Sequence, residues 1–285
     1  MNNDRVEILL RRAREEDREK LIWVESKSTP NLNYVARVFD MFLSDESGEL
    51  SVAEADGEVV ACAKYTVVPD GSAWLETLRV IPERQGIGIG KRFYERFFEL
   101  SRERDVTTMR MYTGVNGFVS KGLAERFGFQ LAATYRGAWL SCQPETTPAS
   151  TGAFQQVIDP DRATALLMPF YEKWTGFWVM NRTFYSLTPA LCADLAQKGL
   201  VYEDPSSRSV ITLGARFMPE QALHIGVFGG DVEACLGFAM QQGIEREVER
   251  LSCLFPPSAA DVQNSLTQYG FQLEASDFIV MEVHL

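Results

Sequence analysis

Leu75-Glu76-Thr77-Leu78-Arg79-Val80-Ile81-Pro82-Glu83-Arg84-Gln85-Gly86-Ile87-Gly88-Ile89-Gly90-Lys91-Arg92 is the stretch on which the reading of this chain turns. Its first residues alternate in the manner of a half-buried strand, and Pro82 ends the alternation. Glycines at 86, 88 and 90 follow. A helical pattern then runs to about residue 104, with Phe93, Tyr94, Phe97 and Phe98 as its aromatic face. The segment is therefore strand, glycine-rich turn, helix. Glycine lets the backbone turn tightly with its N–H groups outward. Successive outward amides form a nest for an anion, and the helix N-terminus adds partial positive charge. From Arg79 to Arg92 there are four bases (Arg79, Arg84, Lys91, Arg92) and one acid (Glu83). In a chain of net charge −11 that contrast points to a phosphate-bearing ligand. The spacing is not the GxGxxG of a dinucleotide fold, and no GK[ST] follows. On the glycines alone, a closely packed strand-to-helix turn is the competing reading.

Outward from this segment, the first half reads as β-α-α-β-β-β-α-β-α-β. A strand at 6–12 precedes a charged helix at 15–27, which Pro30 closes. Asn31 or Asn33 is the expected cap of a second helix that buries Val35, Val38, Phe39 and Phe42. Strands at 50–56 and 58–68 join through Asp56-Gly57, a hairpin signal. Strand 73–80, helix 90–104, strand 106–113, helix 118–127 and strand 129–140 complete a mixed, largely antiparallel sheet with helices on its faces. Residues 143–152 (QPETTPASTG) have linker composition, so the expected domains are 1–142 and 153–285. The second half opens with helices at 160–175 and 188–198 around aromatics (Trp174, Phe177, Trp178, Phe184, Tyr185) expected in a core or domain interface. Strands at 200–203, 209–213 and 222–228, helix 231–242, strand 249–254, helix 259–269 and strands within 271–284 follow. That order repeats the first half, as a diverged duplication would.

Composition narrows the function classes. The 285 residues suffice for two cored domains, and 46 % apolar with 24 % charged excludes a disordered chain. Net acidity argues against nucleic-acid and anionic-membrane partners. Five cysteines without a CxxC pair indicate neither a disulfide framework nor a zinc site. His224 and His284 are the only histidines, too few for a His-based metal centre or a Ser-His-Asp hydrolase, and both are expected to be structural. No metal is expected. The charged N-terminus and the absence of a run of ~18 apolar residues suggest a cytoplasmic protein with no membrane partner.

Val80-Ile81-Pro82 followed by Gln85-x-x-Gly88-x-Gly90 resembles the acyl-CoA-binding signature of the GNAT N-acetyltransferase superfamily, Q/R-x-x-G-x-G/A. Met111 to Phe129, with Asn116 and the terminal Gly128-Phe129, is similar to that family's second motif more loosely. The resemblance covers about residues 5–140. It implies an α/β (α+β) fold and acetyl-CoA as acyl donor to an amine, a small molecule or a peptide. It also implies that the main chains of Leu78 and Val80 pair with the pantetheine arm. Gln85, Gly86, Ile87, Gly88, Ile89, Gly90 and Lys91 would cradle the pyrophosphate with Arg79 and Arg84 nearby, and Asn116 and Ser120 would touch the cofactor. Glu76, on the strand before the loop and alternating onto the face of Leu78 and Val80, is the candidate general base.

The sequence also departs from the family. Where many members have a Tyr acid, four residues before the last Gly, Ala124 stands here. Tyr112 is the stand-in carried forward, with Tyr94 and Tyr135 as alternatives. Asn116 is one residue further from Gly128 than usual, and Gly117 stands at the Asn position of the branch that has a Ser where Ser120 is. The ending Tyr269-Gly270-Phe271 resembles the close of the same fold. Phe228-Gly229-Gly230-Asp231 lacks the QxxGxG loop, so the second half is read as a degenerate copy that does not bind CoA. A tandem pair in one chain favours a monomer over a homodimer. The alternatives are a catalytically silent acyl-CoA-binding or protein-interaction module, which the missing Tyr favours, and an O-acyltransferase.

Overall fold

The computed structural model describes residues 6–29, 32–142 and 152–285. The expected cap Asn31 and the linker, except Gly152, lie outside the described residues. The chain clusters into two compact units. One comprises Met1–Met111, Val119–Gln130 and Glu282–Leu285, the other Tyr112–Phe118 and Leu131–Met281. These are not the contiguous blocks 1–142 and 153–285. The reason is hydrogen bonding: a strand joins whichever ladder satisfies its backbone groups. Residues 136–141 pair with 250–255, and the Leu285 amide donates to the Thr107 carbonyl at 2.9 Å.

The first unit runs β1 (Ile8–Arg12), α1 (Arg18–Ser28), α2 (Val35–Leu43), β2 (Glu49–Ala55), β3 (Glu58–Val67), β4 (Ala73–Val80), α3 (Ile89–Glu103), β5 (Thr108–Gly114, to Met111) and α4 (Phe118–Arg126, from Val119). The strands are ordered β1-β2-β3-β4-β5, antiparallel except for the parallel β4–β5 pair. Asp56 and Gly57 both adopt positive φ (54° and 81°), the pair of conformations a two-residue hairpin turn needs. One sheet face packs on α3, where Tyr65 meets Phe97 at 6.1 Å and its hydroxyl lies 2.9 Å from Ser101 Oγ. The other packs on α1 and α2: buried Lys64 sits 5.6 Å from the Phe42 ring and pairs with Asp45. The cap of α2 differs from the expected Asn. Its N-terminal amides, Tyr34 and Val35, donate to Glu25 Oε2 at 3.0 and 2.9 Å. A buried carboxylate from the preceding helix thus satisfies donors that the helix start leaves open.

The second unit contains β6 (Gln130–Ser141, from Leu131 on), β7 (Gln155–Gln156), α5 (Pro160–Leu167), β8 (Phe177–Met180), β9 (Thr183–Ser186), α6 (Pro189–Gln197), β10 (Val201–Asp204), β11 (Ser209–Gly214), β12 (Ala222–Gly229), α7 (Val232–Glu245), β13 (Arg250–Phe255), α8 (Ala260–Tyr269), β14 (Gln272–Leu273) and β15 (Phe278–His284, to Met281). Its sheet is mixed: β10-β11-β12 antiparallel, then β12–β13 parallel across α7. That is the arrangement of β2-β3-β4-β5 across α3, so the repeat read from the sequence is a repeat of topology. Two expectations change. The helix expected over 160–175 stops at Leu167, because Pro169 removes a helical N–H, and Met168–Phe170 continues as a 3-10 turn. The aromatic stretch is a hairpin, β8–β9, turned by Asn181 and Arg182 at positive φ. Its Trp178 donates to Thr212 Oγ1 at 2.9 Å in the core.

Candidate active site

The site of interest lies in the first unit, where β4 leaves its neighbours. Only Ala73 and Trp74 pair with β5, opposite Met109 and Arg110. From Leu75 onward β4 has no β5 partner in the ladder, so one edge of its backbone is open. Toward β3 the register slips: Glu76 faces Lys64 while Arg79 faces Cys62. Thr77 and Leu78 together oppose Ala63, which is a β-bulge with Thr77 at φ +60°. Residues directly opposite share a face. Lys64 and Cys62 lie on one face of β3, so Glu76 and Arg79 share the α1–α2 face. The expectation that Glu76 alternates onto the face of Leu78 and Val80 is therefore corrected by the bulge. Glu76 is half-buried, and its Oε1 accepts a hydrogen bond from Thr66 Oγ1 at 2.6 Å.

Beyond β4 the chain makes a turn in which Arg84 N and Gln85 N return to the carbonyls of Ile81 and Pro82. Gln85 Nε2 donates to the Val80 carbonyl at 3.1 Å, tying the turn to the strand. Gly86 and Gly88 have φ of +80° and +100°, and Gly88 is the N-terminal cap of α3. A Cβ built on either meets nothing within 4 Å, so these glycines serve backbone conformation at an open surface. Gly90 is different: its Cβ would lie 2.9 Å from Leu123, where α3 approaches α4. The amide of Arg92 is the first returned to the helix, on the Gly88 carbonyl. The amides from Gly86 to Lys91 have no backbone acceptor among the described residues. Buried Ile89 anchors the helix start while Gln85, Gly86, Ile87, Gly88 and Lys91 are exposed. An open row of amides at a helix N-terminus, without a Cβ in front of it, fits a phosphate.

The basic run is less available than its composition suggests. Arg84 pairs with Asp56 at 2.9 Å and Lys91 with Glu95 at 3.4 Å. Arg79 turns to the α1–α2 face, its guanidinium 5.9 Å from the Tyr34 ring. Arg92 is exposed, with no carboxylate partner among the described residues.

The second motif divides between the units. Ser120 is exposed on α4 in the first. Tyr112 and Asn116 belong to the second, with Tyr112 packed edge-on to Phe278 at 5.9 Å and Asn116 exposed. Tyr94 and Tyr135 are buried, and burial raises both hydroxyls. Tyr94 stacks on Phe127, and Tyr135 donates to the Trp174 carbonyl. Neither has the exposure a proton donor to a ligand needs.

A family model for the acetyltransferase (GNAT) family matches residues 8–129. These residues are similar to a GNAT acetyltransferase domain. Over its full length the fold is similar to three solved structures. A GCN5-related N-acetyltransferase from Sphaerobacter thermophilus is 14 % identical, with 99 % of this chain and 96 % of that one covered and a TM-score of 0.66. A tandem GNAT protein of clavulanic acid biosynthesis is 13 % identical, with 98 % of each chain covered and a TM-score of 0.58. A GCN5-related N-acetyltransferase from Kribbella flavida is 15 % identical, covering 100 % of this chain and 73 % of that one, with a TM-score of 0.55. No curated protein sequence matches the chain.

Compared with the matched region, the second half is closed at the corresponding helix. Asp231 caps α7 by accepting from Ala234 N at 3.1 Å, which puts a carboxylate where an anion would sit. Gly230 is packed, since its Cβ would lie 2.5 Å from the Arg208 carbonyl. Burial with Arg182 and Arg250 nearby holds His224 down at about 3, so this histidine is neutral and structural. Among the described residues no group of side chains suits a metal ion, and no helix is long and apolar enough to cross a membrane.

Proposed function

We propose that the GNAT domain transfers the acetyl group of acetyl-CoA to a primary amine. The observation that carries this reading is the open, glycine-built N-terminus of α3 directly following a strand whose far edge is unpaired. Acetyl-CoA supplies the activated acyl group as a thioester. The amides from Gly86 to Lys91 hold its pyrophosphate, and Arg92 adds charge. The main chains of Leu78 and Val80 take the pantetheine arm as an added strand. Ser120 is the side chain of this unit assigned to the cofactor from the second motif. An amine is protonated at neutral pH, so its lone pair must first be freed. Glu76, on the face away from α3, accepts that proton, and Thr66 holds its carboxylate in place. With Ala124 where a Tyr acid would be, the thiolate leaves without a tyrosine acid of this unit and takes its proton from solvent.

The test is thiol release from acetyl-CoA against polyamines, aminoglycosides, amino acids and peptides, with Gly88→Glu as control. Turnover that Gly88→Glu abolishes supports the transferase and names the acceptor class. Glu76→Gln should lower kcat at least tenfold with acetyl-CoA affinity within twofold; an unchanged rate across pH 6–9 would remove Glu76 as base. The burial of Tyr94 and Tyr135 favours one second reading, a silent acyl-CoA-binding module. Tight acetyl-CoA binding with no acceptor in the whole panel would establish it.

A further inference from the structure

Thr77 is a β-branched residue at φ +60° in the middle of a strand, and it is 4 % exposed. The bulge type with its first residue left-handed normally places glycine there. A β-branched side chain in that region is a genuine outlier, and it persists only where its surroundings impose it. The surroundings are visible. The Tyr34 hydroxyl lies 2.8 Å from Thr77 Oγ1, and the Cys62 thiol lies against the Thr77 carbonyl at 3.7 Å. Tyr34 is itself pinned, since its amide donates to Glu25 Oε2 at 3.0 Å. Glu25 is 2 % exposed and also receives the Val35 amide at 2.9 Å. A chain of contacts thus runs from buried Glu25 of α1, through the first residue of the α2 corner, to the bulge in β4.

We infer that Tyr34 is a positioning residue: its hydroxyl holds Thr77 in the left-handed region, and the bulge so fixed keeps Arg79 on the α1–α2 face that Glu76 occupies. The inference rests on the reading of Glu76 as the base. Ala73 to Glu76 pair in unbroken register with Val67 to Lys64, so Glu76 keeps its face either way; without the bulge, strict alternation would turn Arg79 toward α3. Holding Thr77 therefore decides whether a guanidinium stands on the same face of the sheet as the proton acceptor.

Glycine at 77 needs no holding, and this makes a test. Tyr34→Phe, Thr77→Gly, the double variant and Thr77→Ser are compared with the parent protein. The readouts are deuterium exchange in the segment 74–81, acetyl-CoA affinity and, with the acceptor found above, kcat and KM. Tyr34→Phe should raise exchange in that segment and lower kcat about tenfold, with acetyl-CoA affinity within twofold. Thr77→Ser, which keeps the hydroxyl, should stay within threefold of the parent. In the Thr77→Gly protein, Tyr34→Phe should change neither exchange nor kcat further. Equal effects of Tyr34→Phe in both backgrounds, or no effect on exchange in the parent, would overturn the inference. Exchange and affinity need no acceptor. A protein that binds acetyl-CoA but acylates nothing would remove the transferase reading, and exchange alone would then decide whether Tyr34 holds the bulge.

Discussion

Gly88→Ala separates the two jobs of the glycine loop. Gly88 caps α3 at φ +100° and ψ 4°, and its built Cβ meets nothing within 4 Å. No steric overlap contributes, so the cost is that of holding an L-residue in a left-handed conformation, roughly 1–2 kcal/mol. For a chain of this size that corresponds to a fall in Tm of about 2–8 °C. If the loop relaxes to avoid the strain, the amides from Gly86 to Lys91 lose their common direction. A hydrogen bond to a charged group contributes about 1.5–3 kcal/mol, so losing even one weakens acetyl-CoA binding roughly 10- to 150-fold. Gly57→Ala is the control, because Gly57 has φ +81° and an equally open Cβ position, but it sits in the β2–β3 hairpin. Both variants should lose similar stability by calorimetry, and only Gly88→Ala should lose acetyl-CoA affinity by titration. Parallel losses of Tm with unchanged affinity in both would refute the phosphate assignment.

Other outcomes follow from particular contacts. Burial raises the Glu25 carboxyl above its ordinary 4.5, against the pull of two backbone amides and Arg79, with the Cys62 thiol also close. The folded state then binds more protons than the unfolded one in that window, so this group makes stability fall as pH rises from about 4.5. Glu25→Gln should therefore gain stability relative to the parent between pH 4 and 7 in denaturant titrations; a constant difference would contradict the raised carboxyl. Cys142 is the partly exposed cysteine, whereas Cys62, Cys192, Cys235 and Cys253 are buried and their thiols are pushed up by burial. Iodoacetamide should modify Cys142 first in the native protein, read by peptide mass spectrometry; early labelling at Cys253 would count against the packing described. Glu282 pairs with buried Arg110, which also holds Asp70 and Ser72. Glu282→Ala should cost about 1.5–3 kcal/mol, and a fragment ending at residue 142 should be less stable still; a fragment as stable as the full chain would contradict the place of 282–285 in the first unit.

The run from Leu75 to Arg92 was legible because everything it needs is local. Alternation, a proline and glycines at fixed spacing specify strand, turn and helix without reference to any other part of the chain. The same holds for the Asp56-Gly57 hairpin and for the aromatic face of α3. The repeated order of elements was legible for a related reason, since each element carries its own period. Chemistry at the loop was half legible. Glycine positions predicted open amides, but counting bases could not show that Arg84 and Lys91 have acid partners or that Arg79 turns away.

Tertiary structure alone decided the rest. Face assignment by alternation fails at Thr77, because a bulge is set by the register against β3 and by a tyrosine far away in sequence. The cap of α2 comes from Glu25 on another helix, where sequence rules look only at the residues just before the helix. The last strand divides its residues between two units because a strand's backbone pairs with whatever edge is available, and edges are a property of the assembled sheet. Local pattern determined which elements form and where a row of amides stands open; long-range hydrogen bonding determined which face Arg79 shares with Glu76 and which unit each strand completes.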